Sequence, residues 1–200
     1  MSAKLAAENA LRAEGYNYIC GVDEVGRGPL AGPVVCAAVI MPADDIVEGV
    51  DDSKKLSAKK REKLDALIRE KAIAWAICRI EPQQIDEMNI LQATRLCMKN
   101  AIESLKIRPD FVITDGNMTL DIAFPQRHII GGDASCYSIG AASILAKVYR
   151  DKIMDEYAAD YPWYGFEKNK GYGTAAHIAA IKDRGLCPIH RRSFTKKWSD

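Results

Sequence analysis

The sequence predicts an α/β domain with a mixed sheet flanked by helices, and three observations carry that expectation. Residues 18–25 and 34–40 are two β-forming runs joined by a Gly/Pro segment, 26–33, the pattern of adjacent antiparallel strands. Beyond them, short apolar runs alternate with longer stretches of helical periodicity. Strands first, then strands mixed with helices, is the order of an α/β fold. A length of 200 residues suits a single domain, 1–200.

The elements follow in order. Ser57 is placed to N-cap a helix reaching about residue 72, with Leu64, Leu67 and Ile68 on its inner face. Residues 75–80 read as a third strand. Pro82 then opens one long helix to about residue 106, whose stripe of Ile85, Met88, Leu91, Met98, Ile102 and Leu105 reads as core. Past Pro109, residues 111–114 form a short strand ending at Asp115-Gly116-Asn117, and Ile129 and Ile130 lead into Gly131-Gly132-Asp133. A helix from about residue 139 begins with small residues and turns amphipathic through Leu145, Val148, Tyr149, Ile153 and Tyr157, until Pro162 ends it. Residues 174–184 read as a last short helix, in a small helical C-terminal region.

Composition narrows the class. The chain is 48% hydrophobic and 28% charged, as in ordinary globular proteins. No apolar run approaches the roughly 18 residues of a membrane span. The first 16 residues mix Lys4, Glu8, Arg12 and Glu14 with alanines, unlike a signal peptide. Six scattered cysteines without a C-x-x-C pair read as reduced, a zinc site is not expected, and the expected compartment is the cytoplasm. A net charge of +1 hides an asymmetry: residues 164–200 hold eight Lys/Arg against three acids, +5, while the remainder holds 20 against 24, −4. An acidic body beside a basic region fits a metal-binding centre next to a polyanion track, and a merely solvated surface is the competing reading.

The chemistry concentrates in Gly21-Val22-Asp23-Glu24-Val25-Gly26-Arg27-Gly28-Pro29. Adjacent carboxylates at the end of an apolar run are costly unless something binds them, although solvated charges at a strand end would look the same. Glycines at 26 and 28 permit close approach of a backbone, and Arg27 suits phosphate. The glycine spacing and the β-type run that follows exclude dinucleotide and P-loop fingerprints. Asp115 and Asp133 end two further segments. Four carboxylates gathered at strand ends would repel one another unless hard cations neutralise them, and oxygen-only ligands select Mg²⁺ or Mn²⁺. Two such ions about 4 Å apart can activate water and stabilise the leaving oxygen of a phosphodiester. One tension remains: strand neighbours face opposite sides, so Glu24 must twist out into the turn or act through its carbonyl. His128, His177 and His190 are spread along the chain and read as structural or phosphate-adjacent.

Seven motifs together resemble the bacterial ribonuclease HII family: GVDEVGRGPLAGPVV (21–35), DDSKKLS (51–57), IDEMNIL (85–91), ITDGN (113–117), GGDASCYSIGAASILAKVYRD (131–151), NKGYGTAAH (169–177) and HRRSF (190–194). The resemblance implies an RNase H-like fold and hydrolysis of the RNA strand of RNA–DNA hybrids. It also implies cutting 5′ to a lone ribonucleotide in duplex DNA by a two-metal-ion mechanism, leaving a 3′-hydroxyl and a 5′-phosphate. Asp23, Glu24, Asp115 and Asp133 match the metal-binding acidic set, and Gly26-Arg27-Gly28 the segment reading the ribose 2′-hydroxyl. Tyr172 matches the tyrosine that packs on the deoxyribose after the ribonucleotide. Lys54, Lys55, Lys147, Arg191 and Arg192 are phosphate-contact candidates, whereas Ser57 and Ser143 are expected to cap or pack. Ribonuclease HIII, with a longer N-terminal extension and Glu at the last acidic position, fits less well. The expected partners are hybrids and ribonucleotide-containing duplex DNA, with no membrane, and the chain is expected to be a monomer. No clear Q-x-x-[LI]-x-x-[FY][FY] pattern ends the chain, which leaves sliding-clamp binding open. A nuclease of the same fold without ribose selectivity would share the acids, whereas a non-catalytic binder gains nothing from carboxylates beside phosphate.

Overall fold

The computed structural model describes residues 2–198. In chain order its main elements are α1 (Ala6–Ala13), β1 (Ile19–Val25), β2 (Val34–Ile40), α2 (Ala58–Lys71), β3 (Ala74–Ile80), α3 (Pro82–Met88) and α4 (Ile90–Glu103). There follow β4 (Phe111–Asp115), β5 (Gln126–Ile129), α5 (Gly132–Ser135), α6 (Tyr137–Asp160), α7 (Phe166–Asn169), α8 (Ala175–Arg184) and α9 (Arg192–Thr195). The five strands form one mixed sheet in the order β3-β2-β1-β4-β5. β1 pairs antiparallel with β2 and parallel with β4.

Strand alternation sends successive side chains into two layers. On one face Cys20, Val22, Cys36 and Ala38 pack with Ala93, Cys97 and Ala101 of α4. On the other, Val35, Ala37 and Val39 meet Ala141, Ala142 and Leu145 of α6. The small residues opening α6 let it lie hard against β1. A Cβ on Gly21 would come within 2.2 Å of the Ser138 carbonyl carbon. Glu8 of α1, fully inside, accepts hydrogen bonds from Ser138 N and Oγ at 2.9 and 2.8 Å and so ties off the α6 N-terminus. A third cluster joins Leu30 and Ala31 to Met154, Tyr164, Phe166, Ile181 and Ile189, seating the C-terminal helices on the segment after β1.

The mixed sheet, the β1–β2 hairpin and the Ser57 cap all match expectation; Ser57 Oγ accepts from Lys60 N at 3.3 Å. The long helix from Pro82 does not. It breaks at Asn89, whose φ of 72° is left-handed and whose Oδ1 accepts from Leu91 N and Gln92 N, starting a new helix. An Asn that caps the turn after itself competes with continued helix, and here it wins despite an unbroken apolar stripe. No helix among the described residues is long and apolar enough to cross a membrane.

Candidate active site

β1 and β4 run parallel with Val22 beside Thr114, so Asp23, near the end of β1, lies level with Asp115, the last residue of β4. Asp23 pairs across the hairpin with Ala37, on the α6 face, and Glu24 with Cys36, on the α4 face. Alternation thus starts the two acids from opposite faces of the sheet, yet both carboxyls feel the charge of Asp115. Asp23 is 5% exposed. Burial first, then the charges of Glu24 and Asp115, push its carboxyl well above the usual carboxylate range, against the Ser143 hydroxyl, which favours the charged form. Glu24 is raised too, mainly by burial and with Asp115 adding to it, against Arg27, whose Nη1 lies 3.3 Å from Oε1. Its other oxygen, Oε2, is buried without a partner.

Asp115 Oδ1 accepts from Gly132 N at 2.7 Å, which fixes the turn carrying Asp133. Asp133, 8% exposed, spends Oδ1 on Ala134 N and receives Lys54 Nζ on Oδ2 at 3.1 Å. That ammonium is a stand-in cation, and its own pKa is raised by Asp133 and, to a smaller degree, by Asp52 and Asp23. Among the described residues no three acids close into a ready-made metal cage. Even so, a set of oxygen donors in mutual repulsion, with one buried oxygen orphaned and a lysine on another, fits hard divalent cations.

Two buried arginines shape what faces the acids. Arg191, 0% exposed, donates to the carbonyls of Gly26 (2.5 Å), Arg27 (2.9 Å) and Gly32 (3.0 and 2.8 Å). Arg150, also 0% exposed, donates to Pro33, Ala31 and Lys170 carbonyls at 2.9, 3.1 and 2.9 Å. Burial pulls them down to about 9 and about 10, still cationic at neutral pH. The expectation that Arg191 contacts phosphate is corrected: its donors serve carbonyls of residues 26–32, a use that motif position alone does not reveal. Gly26 also differs from expectation. Its φ is +91° and a Cβ there would meet Arg150 Nε at 2.2 Å, so it faces inward, while Gly28 faces the Tyr172 ring, with Cε1 3.8 Å from its Cβ position. Tyr172 is 45% exposed.

The remaining basic candidates divide. Lys54 and Lys55 are exposed, Lys54 against Asp133, and Arg27 is half-exposed. Lys147, one turn beyond Ser143 on α6, is held by Asp151 at 2.7 Å. Arg192 is exposed and sits over Asp86, which accepts from its backbone N at 2.8 Å. Sequence reasoning missed Ser143 as a partner of Asp23, Arg150 as the brace of the glycine turn, and a His177–His190 contact. None carries a local signal, because each partner is supplied by a distant element.

This arrangement, a five-stranded mixed sheet with acids at the ends of its central strands and a braced glycine turn beside them, defines a nuclease of the ribonuclease H class. Residues 20–197 match the family model described as ribonuclease HII. The chain is 56% identical over 189 residues to a ribonuclease HII from Caldicellulosiruptor bescii, spanning 94% of this chain and 92% of that one. It is 53% identical over 185 residues to the ribonuclease HII of Chlorobium chlorochromatii, spanning 90% of each. The crystal structure of ribonuclease H2 from Pyrococcus horikoshii superposes with a TM-score of 0.77 at 28% identity, covering 90% of this chain and 96% of that one. The chain belongs to the ribonuclease HII family. It is an endoribonuclease acting on RNA–DNA hybrids.

Proposed function

We propose that this ribonuclease also cuts on the 5′ side of a single ribonucleotide in duplex DNA, leaving a 3′-hydroxyl and a 5′-phosphate, with Asp23, Glu24, Asp115 and Asp133 holding two divalent ions. One observation carries the reading: Asp23 and Glu24 are raised by burial and by the charge of Asp115, and Glu24 keeps a buried, partnerless oxygen. Mg²⁺ or Mn²⁺ bound there would supply an activated water and stabilise the leaving 3′-oxygen.

The chain's own groups do the rest. Arg191 draws the carbonyls of Gly26 and Arg27 inward, so in trans peptides the amide hydrogens of Arg27 and Gly28 face the other way, towards a ribose hydroxyl. Gly28, without a side chain, lets that sugar approach. Tyr172 packs its face on the next sugar, and Lys54, poised on Asp133, moves its charge to the phosphate. Lys55, Arg192 and the exposed cations of residues 164–200 follow the duplex backbone.

The test is one assay: a DNA duplex with one ribonucleotide, the matched all-DNA duplex and a long hybrid, each with Mg²⁺ or Mn²⁺ and with chelator. Cleavage of the first and third, at the 5′ side of the ribonucleotide in the first, and none with chelator, is expected. Equal cutting of the all-DNA duplex would mean a nuclease without ribose selectivity, and activity in chelator would remove the metal role.

A further inference from the structure

We infer that His177 and His190 form a buried hydrogen-bond relay that positions Tyr172, making both histidines positioning residues for recognition of the RNA–DNA junction. The inference rests on the reading of Tyr172 given above. His177 Nδ1 lies 2.9 Å from the Tyr172 carbonyl oxygen. A carbonyl only accepts, so Nδ1 carries the proton and, in a neutral ring, Nε2 is bare. That Nε2 sits 3.0 Å from His190 Nε2, which must therefore donate. His190 Nδ1 is then bare, and Cys187 N–H donates to it at 3.0 Å, with Cys187 Sγ at 3.1 Å. One pair of neutral tautomers satisfies every contact: Cys187 N–H to His190, His190 to His177, His177 to Tyr172.

The surroundings keep it so. His177 is 0% and His190 3% exposed, walled by the rings of Tyr164 and Phe166 at 4.8–6.2 Å. The titratable and charged groups around the pair are the Cys187 thiol, the Tyr164 phenol, and Asp86 and Arg192 at the edge of the cleft His190 lines. An added proton would set two N–H groups against each other in every tautomer. Accordingly, burial holds His177 below the usual imidazole value, and burial with the neighbouring ring holds His190 down at about 4. The tyrosine is pinned from its other side as well, with Tyr172 N donating to Asn169 O and Thr174 N to Tyr172 O, at 2.9 and 2.8 Å. Removing the relay therefore loosens the residue without unfolding the loop.

The experiment compares the full chain with His177→Phe, which keeps the ring packing and deletes both bonds, His177→Asn, which keeps a donor near the Tyr172 carbonyl, and Tyr172→Ala. Kinetics use the single-ribonucleotide duplex and a long hybrid; ¹⁵N NMR reads the imidazole tautomers, and hydrogen exchange the Tyr172 and Gly173 amides. One buried hydrogen bond corresponds to about tenfold, so His177→Phe should lower kcat/KM on the junction substrate about tenfold more than on the hybrid, mainly through KM. His177→Asn should recover most of it. The parent spectrum should show His177 as the Nδ1–H and His190 as the Nε2–H tautomer, and His177→Phe should speed exchange at 172 and 173. Equal losses on both substrates in His177→Phe, other tautomers, or unchanged exchange would each overturn the relay. A Tyr172→Ala variant that cleaves like the parent would instead remove the tyrosine's role, and the NMR and exchange results would still decide whether the relay holds that loop.

Discussion

Gly26→Ala and Gly28→Ala look alike in sequence, yet the structure separates them. At Gly26 the added Cβ falls 2.2 Å from Arg150 Nε, 2.7 Å from its Cδ and 2.7 Å from the Pro33 carbonyl, and φ is +91°. The left-handed backbone costs about 1–2 kcal/mol for a residue with a Cβ. Displacing a packed guanidinium costs about 1–3 kcal/mol more, before any of its three carbonyl bonds is lost. Roughly 2–5 kcal/mol corresponds to a fall in Tm of roughly 4–20 °C at this size. Gly28 has no positive φ, and its nearest neighbour is Tyr172 Cε1 at 3.8 Å, so Gly28→Ala should change stability by no more than about 0.5 kcal/mol. On the reading of the turn proposed above, its effect falls on the substrate, because the methyl group would occupy the space left open for the ribose. Paired urea melts and single-ribonucleotide cleavage therefore give opposite signatures, Gly26→Ala losing stability and Gly28→Ala losing activity while folded. Parent-like stability in Gly26→Ala would refute the bracing by Arg150, and parent-like cleavage by Gly28→Ala would move the sugar reader elsewhere.

Three other outcomes follow from the site. Asp115→Asn and Asp133→Asn should lose most of kcat while hybrid affinity, measured by fluorescence anisotropy, holds or improves as repulsion of phosphate falls; near-normal turnover with metal present would count against the site. Asp23 is raised, so in the metal-free protein its ionisation opposes folding, a penalty absent below the unfolded value of about 4 and growing as pH rises towards the folded one. Asp23→Asn should thus raise the Tm of chelator-treated protein at neutral pH and change it little in acid, and an unchanged Tm at neutral pH would contradict the buried-charge reading. Tyr172→Ala should impair single-ribonucleotide cleavage strongly and hybrid cleavage less, with Tyr172→Phe mild because the ring does the packing; a collapse in Tyr172→Phe would point to the hydroxyl instead.

Where neighbours in sequence are neighbours in space, the chain was readable. β2 begins and ends where its apolar run does, and the acids at 23, 24, 115 and 133 stand out because charge there conflicts with the strand and glycine patterns around it. The break at Asn89 was hidden, since one capping side chain outweighs a continuous apolar stripe. The fate of Arg191 was hidden for a different reason. Its partners lie 159–165 residues away, and a guanidinium that binds carbonyls has the same letter as one that binds phosphate. His177 and His190, 13 residues apart, become a pair only once α8 turns the chain back.

Arg191 also orders events in time. The glycine turn is synthesised first, yet its carbonyls are claimed by a side chain 159–165 residues further on, and contacts of such sequence separation form late. A ribosome-bound chain that has emerged as far as α6 already contains all four acids but not the guanidinium that orients the turn beside them. On the reading of that turn proposed above, ribose selectivity therefore waits for a residue made 165 positions after the turn it orients.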